Sequence, residues 1–169
     1  DDAALSRHLF SFPPRVGMRE LTEREKAVRA IDEEDYRGSA GKSYLELEGD
    51  IAVLASGGGA SLTAMDALVS YGGKAANYVE YSGNPPAEKI QKLTRIALSK
   101  PGLVGCWVVG GTANFTDVYE TMRGFVEGIK ELKEKPEYPI VVRRAGPRDK
   151  EAFAMLRAFA AYMGIEIHL

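Results

Sequence analysis

Glycine, threonine and asparagine are concentrated in one loop whose composition suits the binding of an anion. The loop Gly110-Gly111-Thr112-Ala113-Asn114-Phe115-Thr116 follows an apolar segment. Its glycines allow a ligand to approach the backbone closely. Asn114 or Thr116 can cap a following helix, and a helix N-terminus favours an anion by about 0.3–2 kcal/mol. Because the same residue types also serve as ordinary caps, the loop alone leaves both interpretations open.

A pair of arginines supplies positive charge. Arg143 and Arg144 end an otherwise apolar segment, and neighbouring strand residues point to opposite faces of a sheet. At most one of them therefore faces a ligand easily, and we predict Arg144 because it lies nearer the next loop. A guanidinium can bind a carboxylate through two hydrogen bonds, each worth roughly 1.5–3 kcal/mol. The alternative is that both are surface arginines.

The run Gly57-Gly58-Gly59-Ala60-Ser61 is a weaker signal for phosphate binding. Leu62 stands where G-x-G-x-x-G needs its third glycine, and no P-loop Lys-Ser/Thr is present. Glu80 lies at about the distance expected of a ribose-binding acid, which keeps a dinucleotide-binding alternative open. Ser61 lacks the G-x-S-x-G context of a nucleophile.

The remaining reactive residue types predict no catalytic residue and no metal site. His8 and His168 are the only histidines, and neither has Cys, Asp or Glu at metal-ligand spacing. The single Cys106 lies in an apolar run, which predicts an inert buried thiol and a reducing compartment such as the cytoplasm. The loops therefore predict binding and orientation of a ligand.

The segments that must position these loops alternate regularly along the chain. The predicted helices are residues 60–71, 86–99, 115–133 and 147–163, the last with Pro147 in its first turn and Gly164 at its end. The predicted strands are Ile51–Ser56, Asn77–Ser82, Val104–Val109, Ile140–Arg144 and Ile165–Leu169. This alternation predicts a three-layer α/β fold with a flavodoxin-like, doubly wound parallel sheet of order 2-1-3-4-5, covered on both faces.

The segment Tyr44–Glu48 alternates with period two and is followed by Gly49-Asp50. We expect it to form a hairpin with Ile51–Ser56 and to add an antiparallel strand at the sheet edge. Ligands of such sheets bind beyond the carboxyl ends of the strands, where the winding reverses. The glycine-rich and arginine-containing loops should therefore meet there.

The first 43 residues differ from the domain predicted over residues 44–169. Phe12-Pro13-Pro14 suggests an extended tether, and Thr22-Glu23-Arg24-Glu25 is a capping box that opens one helix. Because the chain begins with Asp1 and ends within a predicted strand, we expect a piece of a larger protein. A net charge of −2 and the lack of a long apolar segment favour neither a nucleic acid nor a membrane as partner.

Three separated motifs give the chain a family resemblance. Ala76–Gly83, Gly110–Asp117 and Val142–Pro147, with Gly57–Ser61, resemble the citrate-binding domain of ATP-citrate lyase and of the related citryl-CoA synthetase large subunit. The resemblance covers roughly Tyr44 to Leu169. A more distant similarity joins the chain to the carboxy-terminal domain of the succinyl-CoA synthetase β subunit.

The resemblance implies a citrate site at the N-terminus of the so-called power helix after Gly110-Gly111. The implied citrate-binding residues are Gly83, Gly111, Thr112, Asn114, Phe115, Thr116 and Arg144. The family often has Ser or Gly followed by Ile at Gly111-Thr112, so Thr112 either replaces a serine contact or leaves it missing. It often has Arg-Arg-Gly-Gly-Pro where this chain has Arg143-Arg144-Ala145-Gly146-Pro147.

The resemblance also implies partners outside this chain. The parent enzyme would use ATP, Mg and CoA through an ATP-grasp region and a phosphohistidine- and CoA-binding part, to convert citrate to acetyl-CoA and oxaloacetate. The domain itself would need no cofactor and would be inactive alone. Two alternatives stay open: a domain of a succinyl- or malate-CoA ligase β subunit, and a non-enzymatic flavodoxin-like module that binds an anion or nucleotide.

Overall fold

The computed structural model describes residues 19–33 and 35–169. The Phe12-Pro13-Pro14 tether and His8 lie outside these residues. The described helices are α1 (Glu23–Glu33), α2 (Gly58–Ser70), α3 (Ala87–Leu98), α4 (Val118–Lys130) and α5 (Asp149–Met163). The described strands are β1 (Leu45–Glu46), β2 (Ile51–Ser56), β3 (Asn77–Tyr78), β4 (Glu80–Tyr81), β5 (Gly105–Thr112), β6 (Ile140–Ala145) and β7 (Ile167–His168).

The main sheet has the order β4-β2-β5-β6-β7, and every neighbouring pair is parallel. This arrangement confirms the predicted α/β class and the order 2-1-3-4-5. The winding reverses between β2 and β5, because the chain first crosses from β2 to one edge and then returns to the other side. The carboxyl ends of β2 and β5 therefore flank the predicted crevice.

The helices form the outer layers of the fold. On one face, α3, α4 and α5 pack in a row over a large apolar core, and Met122 and Phe125 of α4 are fully buried there. Gly124 allows α3 to approach closely, since a Cβ at this position would lie 2.3 Å from the Ala87 carbonyl oxygen. On the other face, α2 covers a smaller core that includes Val53, Ala55 and Val109.

The extra strand β1 is antiparallel as predicted, but the expected hairpin is wrong. β1 pairs with β3, so that Leu45 lies opposite Tyr78, and the pairing forms a separate two-stranded sheet. Gly49 fits against the chain at Lys74 and Ala75, whose carbonyl oxygens accept from Asp50 and Gly49. The amides of Gly49 and Asp50 thus bond to residues 74–75 and not to β2. The turn at Gly49-Asp50 therefore leads into β2 but does not pair β1 with β2.

The second predicted strand is divided into two short strands. β3 pairs with β1, β4 pairs with β2, and Val79 separates them with its side chain fully buried. The chain therefore changes partner within the segment that the sequence predicts as continuous. β5, in contrast, continues to Thr112, three residues beyond its predicted end.

The helix predicted in the leader is present as α1 and packs on the main body. Its capping box is confirmed: the Glu25 amide donates to Thr22 Oγ1 at 3.2 Å, and the Thr22 amide donates to Glu25 Oε2 at 2.9 Å. Val28 and Ile31 are buried in the larger core. Ala27, which directly precedes Val28 in the helix, is exposed.

The start and the end of α5 can be compared with the predicted helix over residues 147–163. Gly164 ends the helix with a φ of 61°, as expected of a glycine C-cap. Pro147 precedes the helix, which begins at Asp149 after Arg148, so the prediction that Pro147 occupies the first turn is wrong.

In the described part of the chain, no helix combines the length and the apolarity needed to cross a membrane.

Candidate functional site

A crevice of about 370 Å³ lies beyond the carboxyl ends of the strands where the winding reverses. Its volume is near the lower end of the roughly 300–1,000 Å³ typical of small-molecule sites. The wall combines glycine-rich backbone, hydroxyl groups and a single guanidinium. Its lining residues are Ser56, Gly57, Gly58, Gly59, Ala60, Ser82, Gly83, Gly111, Thr112, Ala113, Phe115, Thr116 and Arg144.

Among the residues that the structure describes, Arg144 is the one charged residue in this lining. Its side chain is 4% exposed, and its three guanidinium nitrogens have no hydrogen-bond partner among the described residues. A buried charge without a partner is unfavourable by several kcal/mol. An anion in the crevice would supply the missing partner, so this guanidinium is the strongest indication of the ligand's charge.

Arg143 takes the opposite orientation. Its side chain is exposed, and its Nη1 donates to the Gly110 carbonyl oxygen at 2.9 Å. The burial pattern of β6 alternates between the two arginines, as the strand period requires. The structure therefore places Arg144 in the crevice, as predicted, and leaves Arg143 outside its lining.

The other predicted site residues are brought together with one exception. Gly83, Gly111, Thr112, Phe115 and Thr116 line the crevice together with Arg144. Thr116 is 7% exposed, whereas the Phe115 ring is 68% exposed and lies at the mouth. Asn114 is exposed and is not among the lining residues.

The capping prediction for α4 is wrong. Asp117 is the N-cap, and its Oδ1 accepts from the Glu120 amide at 3.0 Å. The Val118 amide donates to the Pro147 carbonyl oxygen, and Arg148 donates to Asp117 Oδ2 at 2.9 Å. A carboxylate is thus already at the positive end of this helix. The helix itself consequently attracts an external anion less than the sequence suggests.

Asp117 is ionised at neutral pH. Its burial alone would raise its pKa, but hydrogen bonds from the Glu120 amide and Arg148 outweigh the burial and lower the pKa from its ordinary value. Asn84, with a φ of 54°, accepts from the Asp117 amide at 2.9 Å. Sequence reasoning missed both residues. The placement of an Asp directly before the apolar run at Val118 was the available signal.

A second helix presents its N-terminus to the crevice. α2 begins after Gly57, which has a φ of 89° and provides no side-chain cap. Gly57, Gly58, Gly59 and Ala60 all line the crevice. The first-turn amides of α2 therefore face the same space as Arg144 and are donors available to an anion, a feature that the incomplete glycine motif did not predict.

Among the described residues, those that line the crevice offer binding groups but no carboxyl, imidazole or thiol side chain. Apart from Arg144, its polar side chains are the hydroxyls of Ser56, Ser82, Thr112 and Thr116. His168 is exposed and contacts Glu166, and burial raises the pKa of the Cys106 thiol to about 12. Within residues 19–33 and 35–169, no cluster of three or more His, Cys, Asp or Glu could hold a metal ion. Glu80 is not part of the lining, which weakens the dinucleotide alternative.

Fold and site together define an α/β domain of the doubly wound class with a crevice whose buried guanidinium is suited to an anion. The family model described as "ATP citrate lyase citrate-binding" matches residues 19–169. This chain therefore belongs to the ATP citrate lyase citrate-binding family.

Individual relatives and a solved structure agree with this membership. The chain is similar to the ATP citrate lyase of Methanothrix soehngenii, solved in complex with citrate and coenzyme A, with a TM-score of 0.83 and 29% identity over 99% of this chain and 48% of that one. It is 31% identical to ATP-citrate synthase alpha chain protein 1 of Arabidopsis thaliana, over 95% of this chain and 40% of the relative. It is also 31% identical to the succinate–CoA ligase β subunit of Staphylothermus marinus, over 89% of this chain and 36% of the relative. The chain thus spans less than half the length of each.

Proposed function

We propose that this chain binds citrate in the carboxyl-end crevice and serves as the citrate-binding domain of an ATP-citrate lyase. The observation that carries the proposal is the buried and unpaired guanidinium of Arg144 in a crevice lined by backbone and hydroxyls. Citrate has three carboxylates, so one can pair with Arg144 while the others remain near backbone N–H donors. The crevice volume suits such a small polycarboxylate better than a dinucleotide.

The proposed contacts come from three loops and one helix end. Arg144 would bind one carboxylate through its two-pronged guanidinium. Gly83, Gly111, Thr112 and Thr116 line the space for the remainder of the ligand, together with the start of α2. Phe115 and Asn114 belong to the proposed set through the loop that carries them, and the exposed Phe115 ring is placed to cover the mouth.

The other steps of the reaction are assigned to parts of the enzyme outside this chain. We propose that an ATP-grasp region uses ATP and Mg²⁺, and that a phosphohistidine from the partner region phosphorylates citrate held here. Transfer to CoA and cleavage would then give acetyl-CoA and oxaloacetate, with ADP and phosphate. The domain would work in the cytoplasm, need no cofactor of its own and show no turnover alone, because its crevice lining holds no acid, base or nucleophile beyond hydroxyl groups.

A smaller dicarboxylate is the second candidate ligand. The 31% identity to a succinate–CoA ligase β subunit equals the identity to an ATP-citrate synthase chain, so overall similarity does not separate them. The family match favours citrate. Direct comparison of the two ligands separates these candidates.

Isothermal titration calorimetry of the chain with citrate, succinate and NAD tests the proposal. We expect citrate to bind most tightly and Arg144→Ala to weaken it roughly 10–100-fold, since a charged hydrogen bond contributes about 1.5–3 kcal/mol. Arg143→Ala is the matched control and should change citrate affinity less than about threefold. Binding of NAD without citrate binding, or equal losses in both variants, would contradict the proposal.

An activity assay tests the assignment of turnover to the missing parts. The isolated chain should consume no ATP above background when citrate and CoA are present. Measurable ATP consumption would show that a catalytic group is present in this chain.

A further inference from the structure

The side chain of Arg144 runs across the sheet, along a row of neighbouring residues that belong to β6, β5, β2 and β4. In this row Ser56 of β2 pairs with Tyr81 of β4 on one side and with Gly110 of β5 on the other. β6 continues the row, because Val109 pairs with Arg143 and Thr112 pairs with Ala145 across an irregularity in β5. Arg144 therefore starts beside Gly110, with Tyr81 at the far end of the row.

Gly110 leaves open the path that the guanidinium follows. A Cβ at this position would lie 2.0 Å from Arg144 Nη1 and 2.9 Å from the Ser56 carbonyl oxygen. Any side chain at residue 110 would thus occupy the space of the guanidinium. The close approach of Arg144, rather than a special backbone angle, explains why glycine is suitable here.

Tyr81 provides an aromatic face at the end of the path. The ring is 1% exposed, and Arg144 Cζ lies 5.7 Å from its centroid, within the roughly 6 Å range of a cation–π contact. Burial raises the pKa of Tyr81, and the nearby Arg144 charge only partly offsets the rise. The ring is therefore a neutral phenol at physiological pH.

We propose that Gly110 and Tyr81 form a slot that holds the Arg144 guanidinium in its ligand-binding position before the ligand arrives, with Tyr81 as a positioning residue. This inference rests on the proposed function, because the slot serves an anion in the crevice. A protein carboxylate beside Arg144 would hold the guanidinium equally well, but it would occupy the N–H donors of the guanidinium. An aromatic face attracts the cation and leaves those donors available, which reduces the ordering cost of binding.

The first test compares Tyr81→Leu with Tyr81→Phe. Tyr81→Leu removes the ring, and citrate affinity should fall roughly tenfold. Tyr81→Phe keeps the ring and removes only a hydroxyl that has no partner among the described residues, so its affinity should stay within about twofold of wild type. An equal loss in both variants would show that the hydroxyl, and not the ring, acts on the ligand, and would overturn the proposal.

A ligand-free measurement separates this inference from the proposed function. ¹⁵N relaxation of Arg144 Nε in the free protein should report a rigid side chain in wild type and Tyr81→Phe, and a mobile one in Tyr81→Leu. If wild type shows this rigidity but does not bind citrate, the citrate proposal fails and the slot stands. An equally rigid Arg144 in Tyr81→Leu overturns the slot, whatever the ligand.

The second variant pair tests the slot from its other side and does not depend on the folding of Tyr81→Leu. Gly110→Ala should displace the guanidinium and weaken citrate binding at least tenfold. Gly105→Ala in the same strand is the matched control, because its Cβ would meet neighbours only at 3.8–4.0 Å, and it should bind as wild type. Unchanged binding and an unchanged Arg144 signal in Gly110→Ala would overturn the proposal.

Discussion

Two regions of the molecule bury charged side chains, and they differ in whether those charges have partners. In the α1 anchor, formed by Glu25, Asp32 and Lys89, each charge is fully engaged. Lys89 Nζ donates to Asp32 Oδ1 at 2.8 Å and to the carbonyl oxygens of Asp35 and Gly38. In the crevice, Arg144 is equally buried and has no hydrogen-bond partner among the described residues.

The difference separates a structural charge from a binding charge. Asp32 also accepts from the amides of Ala40, Gly41 and Lys42, so the anchor needs no outside group. Burial alone would raise the pKa of Asp32, but hydrogen bonds from Lys89, Gly41 and Ala40 lower it. Satisfied buried charges fix the local fold, whereas an unsatisfied one destabilises the fold until a ligand pairs with it.

The largest effect is expected from breaking the anchor. Lys89→Met leaves Asp32 buried without its cation and should lower the free energy of unfolding by about 3–5 kcal/mol, measured by urea denaturation. Lys26→Met is the control, because the Lys26 side chain pairs among the described residues only with the exposed Glu23. This substitution should cost no more than about 0.5 kcal/mol. Similar losses of stability in the two variants would show that the buried pair of Lys89 and Asp32 contributes no more than an exposed pair.

Removing the Arg144 charge from the crevice should raise the free energy of unfolding, the opposite of the effect expected in the anchor. Arg144→Met deletes a desolvation penalty of several kcal/mol and loses a cation–π contact of about 2 kcal/mol. We therefore expect the citrate-free protein to gain about 1–2 kcal/mol in urea denaturation, while stabilisation by added citrate disappears. Arg143→Met, at an exposed position, should leave both quantities nearly unchanged. A less stable Arg144→Met protein would mean that this arginine is structural.

The smallest expected effect is the contribution of Glu25 in the anchor to the pH dependence of stability. Hydrogen bonds from Arg19 lower the pKa of Glu25 from 4.5 to about 2. Because the folded-state pKa is depressed, this stabilisation is complete above about pH 4.5 and is lost as the pH falls towards 2. Glu25→Gln should be less stable at pH 7 and should have a flatter stability profile across that window, measured by urea denaturation at several pH values. An unchanged profile would exclude Glu25 as its source.

Local sequence signals predicted the order of elements and one helix cap. Alternating strands and helices sufficed for the sheet order, and Thr22 with Glu25 formed the expected capping box. These features depend on residues close together in the chain. The hairpin prediction failed because β1 is paired by a segment about thirty residues away, a choice that local turn chemistry does not encode.

Prediction of the candidate site from the sequence was limited in the same way, by contacts between residues that are far apart in the chain. The loops, and the choice of Arg144 over Arg143, followed from strand periodicity and the position of the loop. The cap of α4 was missed because Asp117 competes with Asn114 and Thr116, and its contact with Arg148 joins two separate loops. The missing partner of Arg144 and the role of Tyr81 depend on distances across four strands, which no sequence spacing reports.

The burial of Cys106 has a practical consequence for work on this domain. It is the only cysteine of the chain, and its side chain is 2% exposed with a raised thiol pKa. A maleimide dye should therefore leave the native protein unlabelled. A cysteine introduced at the exposed Asn114 could then carry a single fluorophore, and its emission would follow occupancy of the neighbouring crevice in real time, without a cysteine-free background having to be prepared first.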